Sequence, residues 1–125
     1  MSEDTTYGTK VWPTAIRVKD QGKIFEITFD NGDSYELTAE FLRVESPSAE
    51  VKGHGPGQEK TVPGKRNVRI ANVETVGNYA ARIIFDDGHD TGLYSWSLLQ
   101  GMGLEHDTIW QAYLDKLKAE NLSRD

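Results

Sequence analysis

An α+β fold, β-rich and built as one domain, is predicted by three features of the sequence. Two acidic-glycine turns are each flanked by β-branched and aromatic runs, each hairpin is followed by a short helical stretch, and the chain closes on an apolar stripe at helical spacing. The expected architecture is a set of antiparallel hairpins with short helices, and a C-terminal amphipathic helix packed on the sheet.

Residues 1–12 are polar and read as a loose segment, with a single domain expected over 13–122. Residues 14–19 alternate apolar side chains at Ile16 and Val18, which predicts a strand. Asp20-Gln21-Gly22 turns the chain, and 23–29 reads as a strand rich in Ile and Phe. Asp30-Asn31-Gly32-Asp33 is a hairpin signal, since Asn and Gly tolerate positive φ, and 34–37 returns as the partner strand. Thr38 is placed to cap a short helix over 39–43, with Phe41 and Leu42 facing the core.

The same unit recurs 56 positions on, where Ile83-Ile84-Phe85-Asp86-Asp87-Gly88 overlies Ile27-Thr28-Phe29-Asp30-Asn31-Gly32. This alignment matches Leu37 with Leu93 and Leu42 with Leu98. Residues 68–76 and 79–85 supply the strands of the second unit, with Gly77-Asn78 turning between them. The intervening residues 45–67 hold Ser-Pro-Ser and Gly-His-Gly-Pro-Gly runs without apolar periodicity, a long loop of the kind that is functional or mobile. The closing helix is expected over 107–121, with Ile109, Trp110, Tyr113, Leu114 and Leu117 as its stripe and Lys116 and Lys118 opposite.

Twenty acidic against fourteen basic side chains give a net charge of −6, which repels phosphate backbones and argues against nucleic-acid binding. No apolar run reaches the length of a membrane span, and Met1 to Thr6 lacks the basic and apolar regions of a signal peptide, so a cytoplasmic protein without membrane contact is expected. The absence of cysteine removes disulfides, thiol nucleophiles and zinc-thiolate sites from this chain.

The run Asp87-Gly88-His89-Asp90-Thr91-Gly92-Leu93-Tyr94-Ser95-Trp96, with Leu42-Arg43 and Ser46-Pro47-Ser48 before it, resembles the small domain at the N-terminus of gamma-butyrobetaine and trimethyllysine hydroxylases. It is similar also to the stand-alone bacterial DUF971 proteins, over nearly the whole chain from Trp12 to the closing helix. In the hydroxylases, this resemblance implies, the domain binds one zinc through three cysteines and a histidine, apart from the iron-dependent catalytic domain. His89 matches the family histidine, while the cysteine positions fall on Ser46, Ser48 and Val51. Serine stays protonated near neutral pH and valine has no donor, so no cofactor is expected, and ordinary packing must replace the metal.

His89 alone is read as a side chain hydrogen-bonded to the neighbouring loop, in contact with residues 44–51 where relatives hold their ion. A sharper reading gathers His89 and His54 with Glu45 or Glu50, and with His106 or Asp107, into a metal or small-ligand site, although no His-Xaa₃-His pair supports it. Asp86, Asp87 and Asp90 lack EF-hand spacing and read as solvated turn carboxylates. Tyr94 and Trp96 read as core or hairpin anchors, and Arg43 as paired with carbonyls or an acid. Ser46, Ser48 and Ser95 could each meet a histidine, but no spacing selects a catalytic triad. A non-catalytic accessory or protein-interaction module is therefore expected. Its contact patch would be Arg43, Ser46, Ser48, His54, His89, Tyr94 and Trp96, and its partner a protein.

Overall fold

The chain builds two copies of one unit, each a three-stranded antiparallel sheet running into a helix. The structure, a computed structural model, describes residues 11–48, 51 and 60–125. The first unit comprises β1 (Pro13–Lys19), β2 (Ile24–Phe29), β3 (Ser34–Thr38) and α1 (Ala39–Val44). The second comprises β4 (Ile70–Val76), β5 (Ala80–Phe85), β6 (Gly92–Ser95) and α2 (Trp96–Leu104), and α3 (His106–Ala119) follows. In each sheet the second strand is central, in the orders β1-β2-β3 and β4-β5-β6.

The repeat extends to individual hydrogen bonds. In the first turn Gly32 N–H donates to Phe29 O at 3.0 Å and Phe29 N–H to Asp33 O at 2.8 Å. In the second, Gly88 N–H donates to Phe85 O at 3.1 Å and Phe85 N–H to His89 O at 3.0 Å. Both glycines stand at φ +92°, while Asn31 and Asp87 keep negative φ. The turns are thus three-residue connections closed by a glycine bulge, rather than the two-residue form that needs positive φ twice. An added Cβ would meet nothing at either glycine, so backbone conformation, not space, demands them.

The two units differ by one residue after the second turn. Leu37 pairs with Phe25, and Tyr94 pairs with Ala81, which lies 56 positions after Phe25. Tyr94 is therefore the counterpart of Leu37, and Ser95 that of Thr38. The expected match to Leu93 fails because an extra residue within 89–91 shifts the strand, and a one-residue shift exchanges the faces. Leu93 is exposed, whereas Leu37 and Tyr94 are buried. The helix register follows: Leu99, not Leu98, is fully buried like Leu42.

Both helices start on a capping hydroxyl. Thr38 Oγ1 accepts from Phe41 N–H at 3.0 Å, and Ser95 Oγ from Leu98 N–H at 3.1 Å. Phe25, Ile27, Phe29 and Leu37 of one sheet and Ile83, Phe85 and Tyr94 of the other enter a common core with Phe41, Leu42 and Leu99. Each such side chain contributes about 1.5–3 kcal/mol on burial. Gly22, at φ +93°, locks the β1–β2 turn on β4, since a Cβ there would lie 2.5 Å from Ile70 O.

The α3 stripe meets this core through α1. Tyr113 and Leu117 are buried with Val44, and the Trp110 ring lies 6.3 Å from that of Phe41. Trp110 itself is half-buried. Past the expected boundary at 122, Gly64 N–H donates to Ser123 O and Arg66 N–H to Arg124 O. Arg124 reaches the buried Glu40 with two bonds of 2.7 and 2.8 Å, and its guanidinium stacks over Trp110. At the other end, Val11 is buried and the Trp12 carbonyl accepts from Asp30 N–H at 2.8 Å, so these two residues belong to the fold rather than to a loose segment.

Candidate functional site

The second glycine turn places His89 at the end of its hairpin, and α1 delivers Ser46 to it. Ser46 Oγ lies 2.9 Å from His89 Nε2, and Ser48 Oγ lies 3.4 Å from the same nitrogen. Ser48 N–H donates to Ser46 Oγ at 3.4 Å, which turns the loop back over the pair. The contact expected between His89 and residues 44–51 is thus present. Ser46 is fully buried, and Val51, Ser48 and His89 expose 3%, 8% and 7%. Gly92 makes the close approach possible, because a Cβ there would stand 2.6 Å from Ser46 Oγ.

Asp87 anchors the other side. Its Oδ1 accepts from His89 N–H at 3.0 Å, as Asn31 Oδ1 accepts from Asp33 N–H in the first unit. Its Oδ2 takes Arg43 Nε and Lys65 Nζ, both at 2.7 Å. Burial alone would raise the Asp87 pKa, but the bonds from Lys65, the His89 N–H and Arg43 outweigh it and hold the carboxyl at about 2. This corrects the solvated-turn reading of Asp87: Arg43 reaches it from α1 and Lys65 from the irregular segment. Asp86 instead accepts from Arg69 N–H, and Asp90 pairs with Arg82. Arg43 Nη1 is buried without a hydrogen-bond partner among the described residues.

The aromatic residues of the motif are structural anchors. Tyr94 is fully buried and donates its hydroxyl to Leu42 O at 2.5 Å, and this burial pushes its pKa up. Trp96 Nε1–H donates to Asn78 O at 2.9 Å. Ser95 caps α2 and, among the described residues, bonds to no histidine.

The expected contact patch therefore needs correction. Ser46, Ser48, His89, Tyr94 and Trp96 are all buried: the serines bond to His89 and Tyr94 to Leu42 across the two units, while Trp96 bonds to Asn78 within the second. A Ser46–His89 pair resembles a nucleophile with its base, yet a substrate carbonyl cannot reach a hydroxyl without exposure. His54 and Glu50 lie outside the described residues. Among the described residues no group of three or more His, Asp or Glu side chains gathers to hold a metal; His106 meets Asp107 at 3.0 Å, but His89 and Glu45 do not join them in one cluster. The zinc that the resemblance implies does not fit the donors here, which are two alcohols, one imidazole and a valine.

Comparison with known proteins agrees with this architecture. Residues 16–100 match the family described as gamma-butyrobetaine hydroxylase-like, N-terminal. Two NMR solution structures are each 43% identical to the chain. One covers 92% of it and 90% of its own length at a TM-score of 0.79, the other 98% and 91% at 0.81. A crystal structure of a protein of unknown function from Acidithiobacillus ferrooxidans, assigned to the DUF971 family, is 34% identical. It covers 73% of this chain and 91% of its own, with a TM-score of 0.61. No match is found among curated proteins.

Proposed function

Because the chain belongs to the gamma-butyrobetaine hydroxylase-like N-terminal family, we propose that it is a non-catalytic, protein-interaction module whose metal centre has been replaced by a hydrogen-bonded cluster. The observation that carries this reading is the buried Ser46–His89 contact at 2.9 Å. It occupies the family ligand positions with groups that satisfy one another and leave no open coordination site or accessible nucleophile. No helix among the described residues is long and apolar enough to cross a membrane, and the net charge of −6 disfavours nucleic acid. The partner class in this reading is another protein.

Affinity capture from native extract, followed by rebinding of the captured protein in purified form, tests the function. We expect one partner to rebind in stoichiometric ratio. Failure of every captured protein to rebind, with turnover of a substrate by the isolated chain, would overturn the reading.

A further inference from the structure

Helix α2 carries two glycines, Gly101 and Gly103, and only one is explained by the fold. A Cβ on Gly103 would run into the Tyr35 ring, so the packing of α2 on β3 requires glycine there. A Cβ on Gly101 would meet nothing within 4 Å. Glycine within a helix is destabilising relative to alanine, and no neighbour among the described residues offsets that at position 101.

Gly101 lines an open groove of about 400 Å³ between α2, α3 and the start of the loop beside Ser46. Pro47, Leu98, Met102 and Ile109 give it apolar walls. Among the described residues its charged lining groups are Glu45 and Glu105, both acidic. A bare backbone at the rim of an apolar groove lets an incoming chain approach closely, and the acidic rim selects the sign of its flanks.

We propose that this groove docks an apolar segment of a partner protein that is flanked by Lys or Arg. The proposal rests on the interaction-module reading and names the partner chemistry for it. A second copy of the chain is disfavoured by the same charges, because a two-fold contact would bring each acidic rim against its own copy.

The test uses the full ¹⁵N-labelled chain and three short synthetic peptides: leucines flanked by lysines, the same leucines flanked by glutamates, and the lysine peptide with serines in place of leucines. We expect only the lysine–leucine peptide to shift the amides of Leu98, Gly101, Met102 and Ile109. Gly101→Ala should weaken binding by obstructing the close approach, and Gly101→Trp should fill the groove and abolish it with the rest of the amide spectrum unchanged. Glu105→Lys should weaken binding about tenfold without relying on steric fill. Absence of these shifts at millimolar peptide, equal binding of the other peptides, shifts centred elsewhere, or self-association lost in Gly101→Trp would each overturn the proposal. If a purified native partner binds Gly101→Trp as tightly as wild type, the groove is wrong while the interaction module stands. If no partner rebinds at all, the module reading itself fails.

Discussion

Ser46 and His89, 43 residues apart in sequence, meet at 2.9 Å in the interior where α1 of the first unit ends against the turn of the second. The bond ties the two copies of the repeat together at one buried point. Replacing Ser46 by Ala should remove the shorter of the two hydroxyl contacts to the imidazole nitrogen and destabilise the protein by about 1–3 kcal/mol, read by urea denaturation. An unchanged midpoint would show that the contact contributes nothing to the fold.

Asp87 gives the same junction a pH dependence of defined sign. Its carboxyl is held at about 2 against an ordinary 3.8, so the folded state favours the charged form. The resulting stability is present in full above the unfolded value and is lost as pH falls through about 2. The shift corresponds to about 2 kcal/mol. Asp87→Asn should therefore be destabilised by about this amount at neutral pH, and the gap to wild type should close between pH 4 and 2. A gap that persists at the acid end would assign the loss to geometry rather than charge.

The hairpins were legible in the sequence because the turns depend on glycine at Gly32 and Gly88, and glycine announces positive φ. Thr38 and Phe41 were legible for the same reason: capping is local chemistry. Family resemblance, not local pattern, brought His89 to the Ser46 loop. What escaped was set by distance along the chain. The residue inserted after His89 moves no pattern visible in the sequence, yet it exchanges the roles of Leu93 and Tyr94. Lys65 sits in a segment without periodicity, so nothing local marks it as a partner of Asp87. Gly92 stands within the recognised motif, but its purpose emerges only when Ser46 is seen against it.

Arg124 closes the C-terminal end over Glu40, whose side chain is almost wholly buried. Removing the arginine strands that carboxylate and also uncovers Trp110. Arg124→Ala should cost about 3 kcal/mol, the lower end for a broken buried pair, because the guanidinium itself is partly exposed. A thermal melt within a degree of wild type would rule out this clamp.

Trp110 is half-buried between Phe41, Tyr113 and Arg124. Trp110→Ala should accordingly destabilise by no more than about 3 kcal/mol, the bottom of the range for core tryptophans. Denaturant titration showing no loss would detach α3 from the core.

The proposed replacement of a metal centre by the Ser46–His89–Ser48 cluster is tested most directly by zinc analysis of the purified chain, paired with a thermal melt in excess chelator. We expect no stoichiometric zinc and the same melting temperature with and without chelator. One zinc per chain, or a melting temperature lowered by the chelator, would contradict it.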